Sequence, residues 1–237
     1  MSHFLGEFIG TALLIILGDG VVANVVLDKT KGNNSGWIVV CFGWAMALFV
    51  AVYASQHFGG SGHLNPAVTI ALAIFSGFDS SLIGTYIAAQ FAGAIAGAIV
   101  VWLAYRQHFD ATTNKDAQLA VFCTAPAIRN TSHNLLTEIL TTFILVFGVL
   151  SMSPANDSLA TLNALPASLL LLGIGLSLGG PTGYAINPAR DLGPRIAHFI
   201  LPIKGKRDSD WGYAWIPVVG PVIGALIAAK LVQLINI

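Results

Sequence analysis

The tripeptide Asn-Pro-Ala occurs twice in this chain, and the pair limits the possible folds more than any other feature. One copy begins at Asn65, the other at Asn187, and each starts a short apolar segment. Asn is a preferred N-cap residue, and Pro is favoured at the first helical position. We therefore predict short helices at Pro66–Phe75 and Pro188–Leu201. Both are shorter than the about 20 residues that cross a bilayer, so the pair predicts two helices that enter a membrane without crossing it.

Composition places these helices in a membrane. Hydrophobic residues make up 55% of the 237 residues, charged residues only 9%, and the mean hydropathy is +0.76. A soluble domain carries about 25% charged residues, so the chain is predicted to be an integral, all-α membrane protein. Apolar stretches of sufficient length predict six transmembrane helices, at 4–25, 36–57, 82–105, 134–153, 160–178 and 212–235.

The two halves of the chain follow the same plan. Each has three spans, with its Asn-Pro-Ala helix between the second and the third. Because three is odd, the second half must enter the membrane in the opposite orientation, which predicts an inverted repeat of 1–105 and 134–237 within one channel domain, 1–237. Irregular backbone at membrane depth is tolerated only where it is buried in protein or lines a cavity. The glycine-rich segments ahead of the short helices are therefore predicted to line a path.

Several function classes find no support in the sequence. The formal net charge is zero, which gives no reason to expect nucleic acid as a partner. Cys41 and Cys123 do not imply a disulfide framework. No metal-ligand cluster and no nucleophile–base pair is visible in the sequence, so we expect no metal, no cofactor and no enzymatic activity.

Positive charges in the connections bear on orientation. With a cytoplasmic N-terminus, the cytoplasmic side would carry little positive charge beyond Lys230, and the positive-inside rule therefore favours the reverse orientation. With a cytoplasmic N-terminus, the external side would instead carry most of the basic residues, namely Lys29, Lys31, Arg106, Lys115, Arg129, Lys204, Lys206 and Arg207.

The two Asn-Pro-Ala boxes, with Glu7 and Glu138 opening the first and fourth spans, resemble the aquaporin superfamily. Asp191, after Asn187-Pro188-Ala189-Arg190, resembles the glycerol-facilitator branch, and Tyr105 and Pro217 agree with it. The resemblance implies the aquaporin fold, with six transmembrane helices and two re-entrant half-helices. It also implies a homotetramer in the cell membrane, with one pore per subunit and both termini cytoplasmic. On orientation we follow the resemblance, because it covers the whole chain.

The resemblance implies a selectivity filter of Trp44, Gly175, Tyr184 and Arg190. The Trp44 assignment requires one extra residue in 56–62, and Tyr184 stands where glycerol facilitators commonly have Phe. A polyol needs an apolar wall, which Trp44 and the Tyr184 ring would supply, opposite the donor fork of Arg190. Gly175 would leave room for carbon where water-selective members have His.

Below the filter, the resemblance implies a ladder of backbone carbonyls along the pore. The amides of Asn65 and Asn187 would donate to the passing oxygen, and the positive ends of both half-helices would repel protons and cations. Glu7 and Glu138 would brace the pore loops by accepting backbone N–H groups. Asp19 matches no feature of the family. The residues whose carbonyls are predicted to form this ladder of acceptors are Ser61, Gly62, His63, Gly183, Tyr184, Ala185 and Ile186.

The leading hypothesis is a passive channel for glycerol, with water and other small neutral solutes such as urea as co-permeants. A variant is a channel for another neutral hydroxy compound such as protonated lactic acid, towards which only the Tyr184 hydroxyl points. A third hypothesis is an ion-coupled secondary transporter, in which Glu7, Glu138 and Asp19 would carry charge.

Overall fold

The computed structural model describes residues 2–75, 77–152 and 162–235, and within these ranges the secondary structure is entirely helical. The helices are α1 (His3–Val26), α2 (Trp37–His57), α3 (Pro66–Phe75), α4 (Ile83–Ala104), α5 (Arg106–Ala111), α6 (Lys115–Ala120), α7 (Thr131–Ser151), α8 (Leu165–Leu178), α9 (Pro188–Ile200) and α10 (Ile216–Ile235). A 3₁₀ turn, Ser80–Leu82, leads directly into α4.

Five of the described helices are long and apolar enough to cross a membrane, namely α1, α2, α4 with its 3₁₀ turn, α7 and α10. The remaining predicted span, 160–178, is represented by α8, whose 14 residues reach about 21 Å at 1.5 Å per residue. Residues 160–161 and 153, which belong to two of the predicted spans, lie outside the described residues. The all-helical membrane architecture is confirmed.

Several helices begin at a side-chain cap. Ser2 accepts a hydrogen bond from the N–H of Leu5 at the start of α1, and Asn130 accepts one from His133 at the start of α7. The predicted span 212–235 begins too early, because α10 starts only at Ile216. Successive turns occupy the aromatic segment before it. The sequence also does not predict α5 and α6, which interrupt the polar connection after α4.

The two halves pack in a matching way. In the first half α1 packs against α2 and α4, and in the second α7 packs against α10 and α8. Glycines bring the helices close: a Cβ on Gly93 of α4 would lie 2.4 Å from the carbonyl oxygen of Phe8, and one on Gly224 of α10 would lie 2.2 Å from that of Ile139. Small residues at helix contacts are the usual means of close packing in lipid.

Contacts between the halves position the centre of the molecule. The half-helix α9 packs against α4, and α3 packs against α10, so each short helix lies on the opposite repeat. Because α3 and α9 begin inside the bundle, the residues directly before them are buried, namely Leu64 and Asn65 in the first half and Ala185, Ile186 and Asn187 in the second. The α3 bounds match the prediction at both ends, and α9 ends at Ile200, one residue early.

Candidate functional site

The two Asn-Pro-Ala segments meet through reciprocal hydrogen bonds. Asn65 Nδ2 donates to the carbonyl oxygen of Ile186 at 2.8 Å, and Asn187 Nδ2 donates to that of Leu64 at 2.7 Å. Each amide therefore uses one of its two N–H groups to hold the opposite loop and keeps one for another acceptor. The sequence predicts donation to a passing solute but not this cross-link between the two loops.

Each asparagine also caps its own half-helix. Asn65 Oδ1 accepts the N–H of Ala67 at 3.0 Å, and Asn187 Oδ1 accepts those of Ala189 at 3.0 Å and Arg190 at 3.2 Å. The side-chain oxygens thus satisfy first-turn amides, as the sequence predicts. The N–H groups of both side chains are consequently oriented away from their own helices and towards the centre.

Both pore loops contain backbone in the left-handed region. Leu64, Tyr184 and Ile186 have φ values of 53°, 39° and 46°, a conformation that is uncommon for residues with a side chain. Gly62 and Gly183, at 72° and 80°, adopt it without a Cβ penalty. Such strain persists only where surrounding contacts fix the backbone, and two buried glutamates supply those contacts.

Glu7 fixes the first loop. Its Oε1 accepts the N–H of His63 at 3.0 Å, and its Oε2 accepts that of Leu64 at 2.8 Å. Ser55 Oγ and Gln90 Nε2 donate to the same carboxylate at 3.2 Å and 2.9 Å. The side chain is completely buried, so these four donors stand in for the water that the carboxylate lacks.

Glu138 has the corresponding place in the second half. Its Oε1 accepts Thr182 Oγ1 at 2.6 Å and the N–H of Ala185 at 3.1 Å, and its Oε2 accepts the N–H of Ile186 at 2.9 Å. It is also completely buried. Both glutamates make the contacts that the bracing interpretation predicts, and the contribution of these contacts to folding is taken up in the Discussion.

Two cavities approach each other inside the bundle. The inner one, of about 140 Å³, extends past Asn65 and Asn187, and its lining includes most of the predicted carbonyl residues. The outer one, of about 640 Å³, opens between α1, α2 and α6. The residues common to both linings are Trp44, Tyr184 and Arg190. These three side chains therefore form the junction between the cavities.

The predicted carbonyl residues are divided between these cavities. Gly183 lines the outer one and Ser61 lines neither, and Ser61 Oγ lies 2.8 Å from Tyr86 Oη. The His63 ring packs against Phe78 and Tyr86, with its Nδ1 3.1 Å from Thr69 Oγ1. The predicted carbonyl residues that line the inner cavity are Gly62, His63, Tyr184, Ala185 and Ile186.

The junction is closely packed. The guanidinium carbon of Arg190 lies 4.0 Å from the centre of the Trp44 ring, in cation–π geometry. Trp44, Tyr184 and Arg190 are 4%, 5% and 8% exposed. In the described part of the chain no hydrogen bond joins the Arg190 side chain to another residue, although its backbone N–H is capped by Asn187. Its guanidinium therefore keeps N–H donors for a solute.

Gly175 lies behind this junction and lines neither cavity. A Cβ at this position would lie 3.0 Å from both Cys41 Sγ and Tyr184 Cζ, so the Tyr184 ring already occupies the space beside the glycine. The Gly175 carbonyl accepts Trp37 Nε1 at 2.9 Å, and Trp37 meets the Tyr184 ring edge to face. Gly175 thus makes room for Tyr184. No sequence pattern distinguishes Trp37 from the other aromatic residues of the chain.

Asp191 stabilises the backbone after the second box. Its Oδ2 accepts the N–H and the hydroxyl of Thr124 at 2.8 and 2.7 Å, and its Oδ1 accepts two N–H groups of Arg195 at 2.9 and 2.8 Å. Arg195 also donates to the carbonyls of Thr124, Ser209 and Asp210. This network is fully satisfied, so the branch marker Asp191 has a structural role, and Arg195 is a member that the sequence does not single out.

Comparison with known proteins gives a family and several similar proteins. Residues 1–232 match the family described as Major intrinsic protein. The chain is 57% identical over 231 residues to the probable glycerol uptake facilitator protein of Thermotoga maritima, covering 98% of both. It is 53% identical over 234 residues to the glycerol uptake facilitator protein of Streptococcus pneumoniae, covering 99% of both.

A more distant relative and a solved structure complete the comparison. The D/L-lactic acid transporter of Lactiplantibacillus plantarum is 42% identical over 235 residues, with 97% of this chain and 95% of that protein covered. The aquaglyceroporin from Plasmodium falciparum superimposes with a TM-score of 0.81 and 30% identity, covering 98% of this chain and 94% of that one.

Proposed function

We propose, from the premise that this chain belongs to the major intrinsic protein family, that Trp44, Tyr184 and Arg190 form the selectivity filter of its pore. The chain is a passive membrane channel for glycerol, as its close relatives and its fold establish. The observation that supports the filter is the division of the interior into two cavities whose common lining residues are these three.

The chemistry of the junction suits a polyol. Trp44 and Tyr184 present aromatic surface to a carbon chain, while Arg190 presents N–H donors to hydroxyl oxygens. Pockets that orient a small molecule usually combine such an apolar lining with a few placed polar groups. Past the filter, the remaining N–H groups of Asn65 and Asn187 donate to the solute, and the carbonyls of both loops accept from it.

Ion exclusion has a separate cause. The half-helices α3 and α9 direct their N-termini to the Asn-Pro-Ala contact, and each N-terminus carries about half a positive charge. The guanidinium of Arg190 adds positive charge at the junction. We propose that this field keeps protons and other cations from passing, so that the conducted solutes are neutral. Water and urea are included among them.

Trp44→Ala tests the apolar wall. Removing the ring should widen the junction and raise the uptake of a five-carbon polyol relative to glycerol by about threefold or more, because a small change in pocket volume is worth that much in discrimination. The measurement is stopped-flow light scattering of proteoliposomes. Trp215→Ala is the matched control, because this tryptophan is 42% exposed and lines neither cavity. An unchanged ratio in Trp44→Ala would remove Trp44 from the filter.

A second candidate solute is protonated lactic acid. It is favoured by the similarity to the D/L-lactic acid transporter and by the hydroxyl that Tyr184 adds to the junction. Proteoliposome uptake of lactic acid at acidic pH, compared with glycerol in the same preparation, distinguishes the two. Faster entry of lactic acid than glycerol would make the acid the principal solute.

We also propose a homotetramer in which each subunit has its own pore and both termini are cytoplasmic. The repeat boundaries 1–105 and 134–237 belong to the same proposal, supported by the matching contacts of Glu7 and Glu138. Static light scattering in detergent gives the number of subunits.

Cysteine labelling of intact cells tests the orientation. Asn34, between α1 and α2, and Asp79, between α3 and α4, are both exposed and lie at opposite ends of the bundle. Asn34→Cys should react with an impermeant maleimide, and Asp79→Cys should not. The unmodified chain is the control, because Cys41 and Cys123 are buried. The reverse pattern would show that the positive-inside rule gives the correct orientation.

A further inference from the structure

We infer that Asp19 is a positioning residue of the filter, whose carboxylate balances the charge of Arg190 and draws its guanidinium towards α1. This inference rests on the proposed filter. Asp19 lies between two glycines in the middle of α1 and is completely buried. Neither of its carboxylate oxygens has a hydrogen-bond partner among the described residues. Burial of an ionised carboxylate without donors is costly, and a positive charge close by offsets part of that cost.

Arg190 supplies that charge. Its Nη1 lies 3.8 Å from Asp19 Oδ1, and this nitrogen is also buried without a hydrogen-bond partner in the described part of the chain. The neighbouring acidic residue Asp191 is already paired with Arg195 at 2.8 Å. Two buried carboxylates and two buried guanidinium groups thus form two separate pairs, and Asp19 belongs with the arginine of the cavity junction.

Packing holds the pair in place. A Cβ on Gly18 would lie 2.3 Å from the Trp44 ring, so the ring packs directly on the α1 backbone beside Asp19. Arg190 lies over the same ring, 4.0 Å from its centre. The guanidinium is therefore held by the face of Trp44 and by the negative charge of Asp19.

The length of the ion pair is important for function. At 3.8 Å it is too long for a hydrogen bond, so Asp19 attracts the guanidinium without occupying an N–H donor. A carboxylate at hydrogen-bond distance would compete with solute hydroxyls for those donors. The arrangement consequently supplies an arginine that is charge-balanced and held in position, yet free to donate to a neutral solute.

Asp19→Asn keeps the size of the side chain and removes its charge. We expect two results: the glycerol-to-water permeability ratio should fall by about threefold or more, and nitrate permeability, measured from the reversal potential in planar bilayers, should increase by a similar factor. The uncompensated guanidinium would move into the junction and attract anions there. Asp28→Asn is the matched control, because Asp28 lies in the exposed connection after α1 and its side chain lines neither cavity.

The same substitution in an Arg190→Ala background separates positioning from a purely structural effect. If Asp19 acts through Arg190, Asp19→Asn should change neither the ratio nor the nitrate permeability further once the guanidinium is absent. Equal effects in both backgrounds, or no effect in either, would overturn the inference. If Arg190→Ala itself leaves the ratio unchanged, the proposed filter fails as well, so the two failures can be distinguished.

Folding of the variants gives a second measure. If Asp19→Asn alone yields little monodisperse protein, the combination of Asp19→Asn with Arg190→Ala should restore the yield, because neither charge is then left unpaired. Continued loss of folded protein in the double variant would contradict the pairing.

Discussion

Gly175→His should reduce glycerol flux by more than about tenfold and leave most of the water flux. A Cβ at this position already lies 3.0 Å from Tyr184 Cζ and Cys41 Sγ, so an imidazole fits only if the Tyr184 ring moves into the junction. Glycerol would then meet a narrower and more polar wall. Apolar contact is worth about 0.8 kcal/mol per carbon, so losing it at the three carbons of glycerol would lower the rate of glycerol passage by more than about tenfold. Water makes no apolar contact through carbon, so its flux should change much less.

The measurement is the ratio of glycerol to water permeability in proteoliposomes. Gly173→His is the matched control on the same helix, because a Cβ on Gly173 would meet no atom within 4 Å. An unchanged ratio in Gly175→His, or the same change in both variants, would show that Gly175 does not influence the constriction. The assignment of the pore to the glycerol-facilitator type would then rest on the relatives and the cavity junction alone.

The structure changes the reason for this prediction while leaving its direction the same. From the sequence, Gly175 leaves space for the carbon of the solute. In the folded chain that space is filled by the Tyr184 ring, which Trp37 holds from the other side. The contact joins residues of α2, α8 and the second pore loop, which are distant in the sequence. No local pattern could have shown that the glycine acts through a tyrosine.

The elements that local chemistry determines were predictable. The Asn-Pro start of α3 and α9 encodes both a cap and a first turn, and α3 has the predicted bounds. The start of α10 was predicted four residues early, because an apolar aromatic segment that forms turns has the same hydropathy as one that forms a helix. Hydropathy identifies membrane depth but not the local hydrogen-bond pattern.

The contacts between segments that are distant in the sequence were harder to predict. The resemblance places Glu7 and Glu138 beside the pore loops, and their hydrogen bonds are found there. The cross-links of Asn65 and Asn187, and the approach of Asp19 to Arg190, join opposite halves of the chain. Such pairs depend on how the repeats dock, which hydrophobic periodicity does not specify.

Glu138→Gln should lower the yield of folded protein and its thermal stability. The carboxylate uses one oxygen for Thr182 and Ala185 and the other for Ile186. Glutamine offers a single acceptor oxygen, so its NH₂ group must face at least one backbone N–H. Each buried amide left without an acceptor costs about 1–3 kcal/mol, and the positive φ of Tyr184 and Ile186 adds strain that the remaining contacts must hold.

Yield and thermal unfolding of the purified protein measure this loss, with Asp110→Asn on the exposed face of α5 as the control for removing a charge. Glycerol uptake by the Glu138→Gln protein that does fold should be the same with and without a proton gradient. The reason is that we expect Glu138 to hold the backbone of the second pore loop and not to transport protons. A variant that folds as well as the control but loses a gradient-driven part of its uptake would assign Glu138 to proton coupling. We expect passive conduction to depend instead on a carboxylate that stays bound to Thr182, Ala185 and Ile186 while the solute passes.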